Sequence, residues 1–404
     1  MAYTLCEEMG LIKGVIGKGT FVSSTAGIPS HLLTHHRDNS VIEMGMVLPV
    51  YEMNGQIKSY LTELYAAIDY DLALKYSPPE GHIKHRYIAS KWLEQYRIKC
   101  DADDIVISSG SQNALSVILT SLFLKGDRIA VDELTYTGLK SLAKLLSIIL
   151  IPVKSDSRGI DIDELRNTCK RERVKGLYLI PDCHNPTTIT MPMEKRAEIA
   201  KIVDDHKLIL IEDGTFSFCA EEGLKPISSI CPDNSIYIHG TSKALSPSFR
   251  ISYIIAPQKY VRLLKHSSNN LTWMPSPLTA EMVSILQATS KYDEIVRKKL
   301  EILKKRNQIT DAILRDFCLI KSETSLFRYL SLPEGFDDNE AEQHFLKAGV
   351  QVFSAKRFSI GMDNRQNAIR IAISSPENER ELVKGLEIIR EVIQTNQNRF
   401  EPIV

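Results

Sequence analysis

A lysine that forms an imine with a carbonyl compound must shed its proton, so it needs surroundings that lower its pKa. Lys243 lies in TSKALSPSFR (241–250), after a strand-like run, with the hydroxyl of Ser242 beside it and Arg250 seven residues on. Hydroxyls and a guanidinium suit a phosphate dianion held next to such a lysine. Thirty residues earlier, Asp213 ends the apolar run LILIED (208–213). A carboxylate there can pair with a protonated pyridine nitrogen and keep the ring able to accept electrons. Glu212 alternates onto the opposite strand face, which leaves Asp213 as the candidate. Asn185, in PDCHNPTT (181–188), follows another apolar run and can donate to a phenolate oxygen. SSGSQNAL (108–115) puts backbone amides and the Ser111 hydroxyl at a strand-to-helix junction, a ready phosphate site. Tyr136 in DELTYTG (132–138) offers a flat ring, and Arg370, opening RIAIS (370–374), offers a planar bidentate grip on a carboxylate. Singly, each has a plainer reading: a loop lysine, a solvated strand end, an Asn-Pro turn, a capping serine, a loop aromatic, a surface arginine. Their order and their shared placement at strand ends make the stronger case.

Those positions imply a scaffold. Short buried strands are expected at 105–108, 128–132, 147–153, 177–182, 208–213, 235–240 and 251–256, with helices at 113–124, 138–146, 160–172 and 193–206. This alternation argues for an α/β domain with a mostly parallel sheet, in which ligands gather at the carboxyl ends of strands. Beyond residue 257 the pattern changes to a long charged helix at 290–317, a strand at 325–332, a helix near 339–348, a strand at 370–374 and a last helix at 377–393. That describes a smaller α+β domain. The expected divisions are an N-terminal piece (1–25) with a helix running into a Gly-rich hairpin, a linking segment (26–75) that partly joins the small domain, a large domain (76–265), and a connecting helix with the small domain (266–404).

Bulk properties exclude several classes. Fifty basic and fifty acidic residues among 404 cancel, so the whole chain has no electrostatic signature of a nucleic-acid binder. The seven cysteines form no CxxC pair, which argues against a disulfide framework or a structural zinc site and makes a reducing cytoplasm the expected compartment. The most apolar run, LLSIILIPV (145–153), is far short of the ~20 residues that span a bilayer. His82 and His85 have helical i, i+3 spacing but read as a solvated helix face, so no metal is expected. GVIGKGT (14–20) lacks the spacing of a phosphate-binding P-loop, and no strand is followed by GxGxxG.

Taken in order, Tyr76 with Gly81, GSQ (110–112), Tyr136, Asn185-Pro186, Asp213, Ser242-Lys243, Arg250 and Arg370 resemble the class I/II aminotransferases, which are fold-type I enzymes dependent on pyridoxal 5′-phosphate (PLP). The resemblance covers roughly residues 40–395. Within that group ISSGSQNAL, HNPTT and SKALSPSFRISYI are most similar to the effector domains of MocR regulators in the GntR superfamily. MAYTLCEEMGLIKGVIGKGTFVSS resembles the last helix and wing of a GntR winged helix-turn-helix, of which only the tail is present.

The resemblance implies a fold-type I transferase in which Lys243 carries PLP as a Schiff base and shuttles the α-proton. Asp213 would pair with the pyridine nitrogen, Asn185 with the ring oxygen, and Tyr136 would stack on the ring. Ser111, Gln112, Ser242 and Arg250 would hold the phosphate, with Tyr76 reaching across between subunits of a homodimer. Arg370 would take the substrate carboxylate, and Gly45 in EMGMVLP (43–49) would let the N-terminal segment close on substrate. The implied activity is transamination of an amino acid with a 2-oxo acid; the alternative is a transcriptional regulator whose PLP domain senses an amine or amino acid with little turnover. DNA is a partner only of a complete winged helix, so no sequence-specific DNA binding is expected of these 404 residues. The sequence departs from the family pattern in three respects: Thr215 and Phe216 stand where a tyrosine is usual after the aspartate, Thr188 replaces the glycine of Asn-Pro-Thr-Gly, and Ser252 replaces that of Arg-x-Gly-Tyr. Losing the tyrosine removes a hydrogen bond of about 1–2 kcal/mol to the phenolate. This is expected to raise the Schiff-base pKa and slow transamination while cofactor binding is retained.

Overall fold

The computed structural model describes residues 12–15, 19–22 and 41–400, except 221–222, 318, 321, 334–335, 337–340 and 362–366. The chain divides into two compact units, Met1–Val41 and Ile42–Val404. In the first, Ile12–Val15 and Gly19–Val22 pair as an antiparallel hairpin. The helix expected before it lies outside the described residues.

The second unit is built on a seven-stranded sheet. Its strands are β1 (Ile105–Ser108), β2 (Arg128–Asp132), β3 (Ile149–Val153), β4 (Gly176–Leu179), β5 (Ile209–Asp213), β6 (Ser235–Gly240) and β7 (Ser252–Ile255), in the order β1-β7-β6-β5-β4-β2-β3. Only β7 runs antiparallel to its neighbours in this sheet. Every residue of β1, β4, β5 and β6 is buried, which is why these segments read as near-continuous apolar runs. Alternation splits them between two cores. Leu177, Leu179 and Leu210 pack with Leu165, Ile199 and Val203 of α5 (Ile162–Glu172) and α6 (Met193–His206). Tyr178 and Ile211 join the core that holds Leu115 and Ile118 of α3 (Ser111–Leu122). Glu212 does turn away from Asp213. Its buried carboxylate accepts from Ile227 N (3.0 Å), Ser228 N (2.6 Å) and the Ser228 hydroxyl, and so caps the next turn.

Two helices absent from the expected pattern, α7 (Gln258–Thr272) and α8 (Pro277–Ala288), follow β7. Val283 and Leu286 of α8, with Ile295 and Leu303 of the long α9 (Lys291–Ile313), belong to the large core, whereas Ile309 and Ile313 pack against the small one. The small core lies under the antiparallel sheet β8-β10-β9 (Arg328–Ser331, Ala368–Ile371, Phe353–Ser354) and includes Leu382, Leu386 and Ile389 of α11 (Glu379–Phe400). Ile42–Glu43 pairs with Val350–Gln351, so Ile42 and Met44 lie in the small core while Val47 and Val50 lie in the large one.

The histidine face expected to be solvated is not. His85, on α2 (Ile83–Leu93), is 1% exposed, and its Nε2 lies 2.5 Å from Glu281 Oε2 of α8. Lys84 Nζ bonds the other oxygen (2.7 Å). α2 packs along α8, and that contact buries the face. Among the described residues no cluster of three or more His, Cys, Asp or Glu could hold a metal ion, and no helix is long and apolar enough to cross a membrane.

Candidate active site

The carboxyl ends of β1, β2, β5 and β6 deliver the functional side chains to one place. Lys243 follows β6 in a loop fixed from below. Thr241 Oγ1 donates to Ile251 O (2.7 Å), Leu245 N to Thr241 O (2.7 Å), and Lys299 Nζ to Leu245 O (2.6 Å). Lys243 Nζ donates to Val47 O (2.5 Å). Burial, then the positive charges of Arg370 and Arg250, brings its pKa down to about 8. A usable fraction is therefore the nucleophilic free amine near neutral pH.

Asp213 is buried at the end of β5. Its Oδ1 accepts from Thr215 N (3.0 Å) and its Oδ2 from the Tyr178 hydroxyl (2.9 Å). Asn185, which precedes a cis peptide to Pro186, accepts at Oδ1 from Arg370 Nη1 (2.7 Å). Arg370 Nη2 donates to Gly45 O (2.5 Å), and its guanidinium carbon sits 4.7 Å from the Phe358 ring centre. Its buried Nε has no partner among the described residues. Glu43 Oε1 in turn accepts from Gly45 N (2.7 Å) and Met46 N (2.8 Å), which shapes the segment lying over Lys243 and Arg370.

The other end of the site is a cradle of donors at the start of α3. Gly110 caps that helix with φ +92°, and a side chain there would collide with the Arg250 guanidinium, whose Nη2 donates to Ser109 O (3.0 Å). Thr215 Oγ1 donates to Ser111 Oγ (3.1 Å), and a Cβ on Gly240 would strike that same oxygen. Hydroxyls, a guanidinium and the amides of a helix N-terminus converge there, a donor set that fits a phosphate. Gln112 Nε2 donates to Gly138 O (3.2 Å) beside Tyr136, which starts α4 (Thr137–Leu145) and whose phenol burial pushes up to about 12. Ser242 is half-buried next to Lys243. The residues present thus fit each end of PLP: donors for the phosphate, a carboxylate for the ring nitrogen, and an amine for the carbonyl. Tyr76 is not brought to this group. It is 80% exposed, with its ring 6.3 Å from that of Trp273.

Two of the three departures have local explanations, and the third keeps a backbone geometry suited to glycine. Phe216 is buried against Phe327 (ring centres 5.3 Å apart) and supplies no hydroxyl. Thr188 adopts φ +64°, the left-handed region that favours glycine. Ser252 pairs its hydroxyl with that of Ser108 at 2.6 Å across β7 and β1. Tyr178 and the Val47 carbonyl were not foreseen. A tyrosine inside GLYL reads as core, and a backbone acceptor leaves no residue-type signal.

A seven-stranded sheet of this order, with a buried lysine, aspartate and arginine and a donor-rich helix N-terminus at one edge, is the architecture of PLP-dependent fold-type I proteins. The aminotransferase class I and II family model matches residues 51–386, and the chain belongs to that family. PLP is the cofactor this membership implies. The chain is 33% identical over 392 residues to the uncharacterized HTH-type transcriptional regulator YdeF of Bacillus subtilis, covering 97% of this chain and 85% of that one. It is 25% identical over 362 residues to aromatic-amino-acid aminotransferase 1 of Thermococcus litoralis, covering 86% and 85%. In fold it matches the multiple substrate aminotransferase of Thermococcus profundus with a TM-score of 0.84 at 23% identity, over 93% of this chain and 96% of the other.

Proposed function

We propose that this chain transfers an amino group between an amino acid and a 2-oxo acid, with Lys243 as the covalent anchor of PLP. The carrying observation is the Lys243 amine, lowered to about 8, at strand ends shared with Asp213 and the Asn185–Arg370 pair. When bound, the cofactor supplies an electron sink next to the substrate α-carbon and a carrier for the amino group. Ser111, Gln112, Ser242, Arg250 and the first amides of α3 would hold its phosphate. Tyr136 would stack on the ring and Asp213 would face its nitrogen. Asn185 has its Oδ1 taken by Arg370, which leaves Nδ2 to donate to the ring oxygen. Arg370 would grip the substrate carboxylate in exchange for Gly45 O, and Lys243 would leave Val47 O. Val47 O would lose its donor when Lys243 anchors PLP, and Gly45 O when the substrate carboxylate arrives. Once free, Lys243 Nζ is the base that takes and returns the α-proton.

Homodimerisation belongs to this proposal. The exposed aromatic pairs Tyr65–Tyr70 (ring centres 5.6 Å apart) and Tyr76–Trp273 (6.3 Å) support a covering partner. A second copy seated there would let Tyr76 reach the other subunit's phosphate. We assign a reducing cytoplasm as the compartment, to which the buried thiols of Cys169, Cys183, Cys219 and Cys231 are suited.

The identity to the HTH-type regulator, with Phe216 in place of a hydroxyl donor, favours a second reading in which the domain senses an amino compound with little turnover and DNA is reached through a winged helix. The two readings separate on mixing the PLP-loaded protein with a panel of amino acids and quantifying 2-oxo acid by mass spectrometry. Release of one 2-oxo acid per cofactor is expected. A lasting spectral change without 2-oxo acid would replace the enzyme with the sensor.

A further inference from the structure

We propose that Tyr178 is a positioning residue that keeps Asp213 ionised and the proton on the cofactor's ring nitrogen. The inference rests on the reading of Asp213 as the partner of that nitrogen. Tyr178 pairs with Ile211 in the β4–β5 register, so its side chain leaves the sheet on the same face as Asp213, two residues further along. Tyr178 is 1% exposed and Asp213 4%. An ionised carboxylate can only accept, so the 2.9 Å contact has the Tyr178 hydroxyl as donor to Oδ2. Thr215 N occupies one lone pair of Oδ1. Each oxygen keeps a second lone pair for a ring N–H.

The consequence follows from a competition for one proton. Between a buried carboxylate and a pyridine, the proton resides on the stronger base. Burial strengthens Asp213 as a base, and the hydrogen bonds from Thr215 and Tyr178 weaken it again. Without the phenol, the proton moves toward the carboxyl and the ring toward neutrality, where it accepts electrons poorly. The amide of Thr215 is fixed by the turn after β5, whereas the phenol is a choice of side chain at one strand position. Phe216 adds no donor nearby, so the side-chain adjustment of ring charge is shared by the Thr215 hydroxyl and the Tyr178 phenol.

The test uses ring-15N-labelled PLP bound to the full chain, because the nitrogen resonance reports its protonation directly. Tyr178→Phe removes one oxygen and retains the ring that packs in the core. The wild-type resonance is expected at the pyridinium position and that of Asp213→Asn at the neutral position. Tyr178→Phe should move toward neutral by on the order of tenfold or more in the protonated-to-neutral ratio. A role in packing alone would change the melting temperature and leave the resonance in place. If Asp213→Asn shifts the resonance and Tyr178→Phe does not, the inference falls and the reading of Asp213 stands. If neither shifts it, that reading falls too. Should Tyr178→Phe not fold, p-aminophenylalanine at the same position, nearly isosteric and a weaker donor, is expected to shift the resonance in the same direction; an unmoved resonance there overturns the inference.

Discussion

Replacing Lys299 by methionine probes the floor of the lysine loop. Lys299 is 1% exposed on α9, and its Nζ donates to the carbonyl of Leu245, two residues beyond Lys243. Burial pushes its pKa down to about 7, offset only in part by the charge of Glu52, which is itself bonded to Arg306. At about 1.4 kcal/mol per pH unit, the displacement from 10.5 to about 7 bounds the cost of the buried ammonium near 5 kcal/mol. Relaxation and water entry make about 2–4 kcal/mol the working figure. The folded pKa is depressed, so between pH 7 and 10.5 the unfolded chain binds more protons and stability rises with pH; the full penalty is present below pH 7. Methionine removes the charge but leaves Leu245 O without its donor, at about 1–2 kcal/mol at every pH. Lys299→Met should therefore be more stable than wild type by roughly 1–3 kcal/mol at about pH 6 and near parity or below at about pH 9.5. Urea unfolding of the two proteins at both pH values reads this difference, and the subtraction cancels other titrating groups, Lys243 included. A stability difference that is the same at both pH values would show that Lys299 is not held as a buried, destabilised ammonium.

Further outcomes follow from the site. Arg370→Gln removes the positive charge with the larger lowering effect on Lys243, so the pH midpoint of PLP uptake by the apo chain should rise, and KM for the amino acid should rise roughly 30-fold or more; stopped-flow absorbance and steady-state kinetics check the pair. Gly110→Ala places a Cβ against Arg250 at φ +92° and should weaken PLP binding, on the order of tenfold or more in Kd by fluorescence titration. Thr188→Gly relieves a β-branched residue at φ +64° but frees the unfolded chain, so the melting temperature should change by only about 3 °C or less.

The strands were legible because parallel strands covered on both faces leave uninterrupted apolar runs. RIAVD and SIYIHG coincide with β2 and β6 residue for residue. Helix α7 was not, since QKYVRLLKHSSNNLT mixes Ser and Asn into its period and takes its stability from packing Val261 and Leu264 on the sheet. Helix α8 carried a readable start in Ser276-Pro277, with Ser276 Oγ accepting from Thr279 N (3.4 Å). In the site, residues chosen for their chemistry could be named because a cofactor demands particular groups at strand ends. His85 was misread because helical spacing shows which residues share a face, not what covers it. Tyr178 was invisible because its partner is 35 residues away on the neighbouring strand.

We propose Lys243, and no other lysine, as the anchor of the cofactor. Lys140 is a fair competitor, since burial brings its amine to about 8 as well, though its Nζ is occupied by the carbonyls of Arg357 and Ser359 (both 2.7 Å). Borohydride reduction of the PLP-loaded protein, digestion and mass spectrometry locate the attachment. A phosphopyridoxyl group is expected on the Lys243 peptide alone, and none in Lys243→Ala. A label on Lys140 or Lys299, or covalent PLP retained by Lys243→Ala, would contradict it.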